Sequence, residues 1–138
     1  MRAGQILFWP DHEFDDGGTS DKLLVVLNEQ RDGIHLAAYT TSQWRVHLSR
    51  TQGCHVGDGV FFIPKKVWGF SKDTWIQLYR VQEYRVEVLE EHHANKRIRE
   101  LRCLDAAATA GLINCYMKCP DVTDQHEWLL GKRRDRPG

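Results

Sequence analysis

The sequence predicts a mainly β domain closed by C-terminal helices. Three observations carry this. Six or seven short apolar or alternating runs lie within the first ~90 residues, turn-forming Gly, Pro, Asn and Asp separate them, and one long stretch at helical spacing follows. Short strands at that density suit a small barrel or a strongly curled sheet.

The strands follow in order. Gln5–Trp9 opens the chain after Gly4 and is expected to stop at Pro10, with Asp11–Asp21 as a polar loop. Leu23–Leu27 and Ile34–Tyr39 flank a polar connector ending in Asp32-Gly33, an antiparallel hairpin signal. Trp44–Leu48 alternates like a half-exposed strand, Thr51–Gly59 reads as a turn region, and Val60–Ile63 is a buried strand ending at Pro64. Thr74–Tyr79 and Tyr84–Leu89 complete the set. From about Asn95 to Cys119, Ile98, Leu101, Leu104, Ala108, Leu112 and Cys115 recur every three or four residues, predicting one helix that Pro120 ends. A second short helix carries Trp128-Leu-Leu130 and stops at Gly131. Residues 1–131 thus form one domain, and 132–138 form a basic tail expected to be disordered.

Length and composition narrow the function. A chain of 138 residues is one domain that buries roughly two thirds of its unfolded surface. Lysine plus arginine and aspartate plus glutamate both number 19, so no bulk field draws in a polyanion and only local basic clusters can do so. No apolar run approaches the ~18 residues of a membrane span, and no leader pattern opens the chain, so a cytoplasmic protein with no membrane partner is expected. The four cysteines, Cys54, Cys103, Cys115 and Cys119, are accordingly expected as thiols. Cys115, Cys119 and His126 have the spacing of a partial metal set, but cysteines on an apolar helix face are more often core, and no metal or cofactor is expected.

The candidate chemistry sits at the outer ends of the central hairpin. Lys22 enters its first strand and Thr40-Thr41-Ser42 leave its second, so a tight hairpin brings a cation beside hydroxyls, a pairing suited to a phosphate. His12, Glu13, Asp15 and Asp16 in the first loop are further acid–base or hard-metal candidates, with His12 titrating nearest neutrality. Lys65 and Lys66, close to Trp68 and Phe70, have the make-up of a single-strand binding patch, although those aromatics also suit a core or a dimer contact. Cys54-His55 is a poor nucleophile–base pair, because adjacent side chains do not readily bring their tips together.

Taken in this order, the chain from Gly4 to Leu130 resembles the PemK/MazF family of toxin endoribonucleases. The resemblance is carried by Gly4-Gln-Ile-Leu-Phe, the Gly-containing loop Asp15–Asp21, Lys22-Leu-Leu-Val-Val-Leu, Ala37-Ala-Tyr-Thr-Thr-Ser42, Ser71-Lys-Asp-Thr-Trp-Ile-Gln-Leu and the final helix. It implies an SH3-like barrel, a homodimer, an antitoxin protein as partner, and metal-independent cleavage of single-stranded RNA by its own 2′-hydroxyl. On this resemblance Lys22 falls where the family has its catalytic arginine, and Thr40 or Thr41 where it has a phosphate-contacting threonine. Lysine there is a departure, a point charge in place of a planar fork. Gln77 and Tyr79 fall where some members carry a further arginine and an aspartate; Arg80 compensates only if the strand register slips. The expected site is therefore Lys22, Thr40, Thr41 and His12 for catalysis, with Gln77, Arg80, Lys65 and Lys66 binding substrate. The alternative is a catalytically impaired module on the same scaffold that binds RNA or a partner protein.

Overall fold

A computed structural model describes residues 1–13, 19–43 and 48–138. Seven strands form one antiparallel sheet among these residues: β1 (Gln5–Glu13), β2 (Thr19–Val26), β3 (Ile34–Thr41), β4 (Gly53–His55), β5 (Val60–Ile63), β6 (Thr74–Arg85) and β7 (Arg99–Cys103). Their order is β4-β5-β6-β3-β2-β1-β7, so the sheet is open, with β4 and β7 at its edges. Three helices complete the chain: α1 (Val86–Ala94), α2 (Ala106–Lys118) and α3 (Asp124–Leu129). None of these is long and apolar enough to cross a membrane.

The hairpin β2–β3 forms as its sequence dictates. Asp32 and Gly33 both take positive φ, 55° and 74°, which matches a two-residue turn to the twist of the strands, and Arg31 and Ile34 exchange backbone hydrogen bonds across it. Leu24 then opposes Tyr39, Val25 opposes Ala38 and Val26 opposes Ala37. Both faces of this hairpin are covered. Val25, Leu27, Leu36 and Ala38 join the larger core with Leu112, Tyr116, Trp128 and Leu129 of α2 and α3. Leu24, Val26, Ala37 and Tyr39 join a second cluster with Leu89 of α1 and with Ile98. Each fully buried aliphatic side chain contributes roughly 1.5–3 kcal/mol, so the central strands hold the layers together.

Three elements differ from the sequence expectation. β1 does not stop at Pro10; it runs on to Glu13 and pairs with β2, with a register irregularity between Trp9 and His12 at the position of the proline, which lacks a ladder donor. The expected loop is thus a β1–β2 hairpin whose tip, residues 14–18, lies outside the described residues. The run Tyr84–Leu89 is not a final strand: β6 continues from Thr74 through Arg85, and α1 begins at Val86. The expected single helix from Asn95 to Cys119 is a strand followed by a helix. Ile98 packs under α1, Leu101 is exposed on β7, and α2 starts only after Asp105, whose carboxylate accepts from the Ala108 N–H at 2.7 Å. The predicted strand Trp44–Leu48 falls, except for Leu48, outside the described residues. The turn region Thr51–Gly59 contains the short strand β4.

β4 is also covalently tied. Cys54 and Cys115 form a disulfide between β4 and α2, with Cα atoms 5.6 Å apart. This corrects the expectation of four thiols. Connectivity depends on which Cα atoms the fold brings within bridging range, and these two are 61 residues apart in sequence. Cys103 and Cys119 are free. The tail is tied to α3 and to the β2–β3 turn, Arg133 pairing with Asp124 at 3.2 Å and Arg136 with Asp32 at 2.7 Å.

One irregularity matters for the site. Ala38 pairs with Val81, whereas the next residue of β3, Tyr39, pairs with Gln77. Three extra residues of β6, Leu78–Arg80, therefore bulge between these pairs. Without a bulge Gln77 and Val81 would share a face, since four steps preserve alternation. Instead Gln77 opposes Tyr39 on the α1 face, and Val81 opposes Ala38 on the α2–α3 face. The bulge turns the strand over and re-aims the side chains within it.

Candidate functional site

The cross-strand register assembles most of the expected residues on one face. Trp9 opposes Lys22, and Leu24 opposes Tyr39, so extending the β2–β3 pairing by two residues sets Lys22 across from Thr41. Thr41 in turn opposes Trp75, and Tyr39 opposes Gln77. Lys22, Thr41, Tyr39 and Gln77 thus belong to adjoining rows of the α1 face.

Arg80 reaches the same face through the bulge. Its guanidinium carbon lies 4.9 Å from the centre of the Tyr39 ring. Burial, and then the positive charge of Arg80, hold the Lys22 ammonium below its ordinary pKa of 10.5. Two cations therefore share one field.

Below them lies a polar and aromatic cluster. The Tyr39 hydroxyl is 3.0 Å from that of Tyr84, and both are 3.4 Å from Nε2 of His12. The His12 ring stands edge-on to Trp9 at 4.5 Å and to Tyr39 at 5.4 Å. His12 is only 5% exposed, so it supports Tyr39 from beneath and does not face solvent. Gln77 is also buried; its amide donates to the Tyr79 hydroxyl at 2.8 Å, while its amide oxygen has no partner among the described residues. An unpartnered buried carbonyl costs about 1–3 kcal/mol.

Thr40 is on the other face. Its hydroxyl donates to the Leu23 carbonyl at 2.9 Å, which commits it to the backbone. Leu23, Thr40, Thr41, Ser42 and Lys22 nevertheless share the lining of a cleft of about 360 Å³ with Ser71, Lys72 and Thr74. Lys22 and Thr41 thus stand where this hydroxyl-rich cleft meets the cationic face. Lys65 and Lys66 are exposed in the turn before Phe70 and are not among the described residues lining the cleft. Trp68 stacks on Phe61 with centroids 5.5 Å apart, and Phe70 is buried, so both are packing residues.

The remaining candidates resolve simply. Asp15, Asp16 and His47 lie outside the described residues, as does the side chain of Glu13. His35 is buried in the sheet with Nδ1 3.2 Å from the Asn28 carbonyl. Cys54 is in the disulfide and His55 contacts the Thr51 carbonyl at 2.6 Å, so no thiol nucleophile exists there. The disulfide also withdraws Cys115 from any metal set, and His126 is held between the Tyr116 hydroxyl at 2.6 Å and Glu83 at 3.5 Å. No group of three or more metal-ligating side chains occurs among the described residues. The resemblance places Tyr79 on β6 without naming it as a binding residue. It is 47% exposed.

No family model matches the chain, and a search of curated proteins finds no match.

Proposed function

We propose that this protein is a divergent PemK/MazF-like toxin, a metal-independent endoribonuclease acting on single-stranded RNA, and that the open sheet is its version of the SH3-like barrel. The observation that carries this reading is Arg80 over the Tyr39 ring with its charge acting on Lys22, beside Thr41 and the hydroxyl-lined cleft. Two cations held together raise local affinity for a phosphodiester, and an arginine supplies the planar fork that Lys22 lacks.

In this mechanism the 2′-oxygen attacks the adjacent phosphorus, the bond from phosphorus to the 5′-oxygen breaks, and a 2′,3′-cyclic phosphate and a 5′-hydroxyl result. Arg80 stabilises the phosphorane charge. The Lys22 ammonium adds its charge to that of Arg80, and solvent water takes the 2′ proton while another water protonates the leaving 5′-oxygen, so protons balance. The Thr41 hydroxyl orients a non-bridging oxygen. His12 is a positioning residue that holds Tyr39 beneath Arg80. Single-stranded RNA is required because attacking and leaving oxygens must come into line. The reading carries with it a homodimer and an antitoxin protein as partners, and needs no cofactor.

A second reading is favoured by one observation. His12 is buried beneath Tyr39 and so does not serve as a solvent-facing acid or base, which suits a module that binds RNA or a partner without cutting. Incubating the purified protein with mixed single-stranded RNA in EDTA separates the two. Cyclic-phosphate products that disappear in Lys22→Ala support the nuclease; salt-sensitive binding without products supports the module; neither binding nor products overturns both.

A further inference from the structure

A phosphate site on single-stranded RNA needs something to hold the neighbouring bases, and the same face offers an exposed aromatic ring for that. Tyr79 is 47% exposed, against 6% for Tyr39, and it sits next to Arg80 in the bulge. Its hydroxyl accepts from the Gln77 amide at 2.8 Å, which fixes the ring on the face that carries Tyr39 and Arg80. From the other side, Gly59 takes a φ of 67°, and a side chain there would begin 3.3 Å from Tyr79 Cβ and 3.4 Å from its Cδ1. Glycine at 59 leaves the ring close against the β5 edge, where the Leu78 N–H donates to the Gly59 carbonyl at 2.8 Å. The ring is thus oriented by a hydrogen bond at its tip and by backbone at its root.

Bases stack on tyrosine with little regard to identity, because every base has a π-face, and such rings commonly accompany cations that track the backbone. We infer that Tyr79 is the base-stacking residue of this site, holding the nucleobase next to the phosphate gripped by Lys22 and Arg80. The inference rests on the RNA reading above and deepens it by naming how a base is engaged. Gln77 acts as a positioning residue through the Tyr79 hydroxyl.

The test compares two probes, a random single-stranded RNA and inorganic polyphosphate, which offers the charge without bases. Tyr79→Ala is expected to lower RNA affinity by about 5- to 150-fold, the usual range for loss of one stacked base, and to leave polyphosphate binding within about 2-fold. Tyr79→Phe keeps the stacking surface and stays within about 3-fold of wild type for RNA, whereas Lys22→Ala weakens both probes. Urea midpoints of the variants confirm that half-exposed Tyr79 is replaced without unfolding. If Tyr79→Ala binds RNA as wild type does while Lys22→Ala fails, the stacking role is wrong and the RNA site stands. If it weakens polyphosphate as much as RNA, the ring is structural and the inference also falls. If wild type binds polyphosphate but no RNA, or binds neither, the RNA reading and the inference fall together.

Discussion

Replacing Arg80 with alanine separates the fold from the proposed chemistry. Among the described residues Arg80 has two opposed effects. Its guanidinium rests 4.9 Å from the Tyr39 ring, a partly exposed cation–π contact worth about 0.5–1 kcal/mol, and its charge acts unfavourably on Lys22. The two effects offset, so Arg80→Ala is expected to stay within about 1 kcal/mol of wild-type stability in urea. Its effect on RNA is larger. A charge-assisted hydrogen bond to phosphate is worth about 1.5–3 kcal/mol, so affinity for single-stranded RNA drops by about 10- to 150-fold. One phosphate contact fewer flattens the dependence of log affinity on log salt by about 0.7. Arg80→Lys keeps the charge and the salt slope but loses the planar fork, and falls between the two. Arg80 is the second cause, after burial, of the lowered Lys22 pKa, so its removal lets that pKa rise and moves the alkaline loss of Lys22-dependent binding to higher pH. Binding measured from low to moderate salt, alongside urea unfolding, checks these points. Unchanged affinity and salt slope in both Arg80→Ala and Lys22→Ala would refute the assignment of this face to RNA.

Two further outcomes follow from the fold. Burial holds the His35 pKa below 6.5, against the raising influence of the Asn28 carbonyl, Glu29 and Glu90 and alongside the lowering influence of the amino terminus; the unfolded chain therefore takes up a proton that the folded chain resists. Stability contributed by neutral His35 is lost as pH falls through 6.5 and levels off below the folded pKa, so urea midpoints of His35→Leu fall less steeply over that window than wild type, from a start about 1 kcal/mol lower for the lost bond to Asn28. Cys54→Ser opens a loop with a sequence separation of 61, for which chain entropy sets a loss of up to about 4 kcal/mol; dithiothreitol on wild type should lower the urea midpoint to that of the variant, and no response to reductant would refute a stabilising bridge.

The parts legible in the sequence are those fixed by local chemistry. Asp32-Gly33 between two aliphatic runs specified the β2–β3 hairpin, because the positive φ values of the turn are open to those residue types. The cap Asp105 and the spacing of Ala108, Leu112 and Cys115 describe α2. The parts misread are those fixed by distant partners. Ile98, Leu101 and Leu104 fall at helical spacing, yet Arg99–Cys103 becomes a strand because β1 offers it an unpaired edge. Val86 and Val88 alternate like a strand, but α1 forms where β6 ends and buries Leu89 under the sheet. Cys54 and Cys115 lie far apart in sequence, and no spacing rule names them as partners. At the site, Lys22 and Thr41 were readable as the outer ends of one hairpin, while the commitment of Thr40 to Leu23 follows from the strand pleat.

The bulge in β6 joins these two levels. Alternation along an unbroken strand sends Gln77 and Val81 to one face and Leu78 and Arg80 to the other. Were Val81 kept in the larger core under such a rule, Gln77 would join it there, and a buried amide would enter an apolar layer at a cost of some kcal/mol. Were Gln77 kept beside Tyr39, Val81 would leave that core. Three residues without a partner on β3 resolve the conflict, and the register of both halves with β3 survives. The consequence for chemistry is that Tyr79 and Arg80 emerge side by side over the hairpin that carries Lys22 and Thr41. An arginine of β6 thus acts on a lysine of β2 across the intervening β3. The geometry that repairs the packing of β6 is the same geometry that gathers the proposed site.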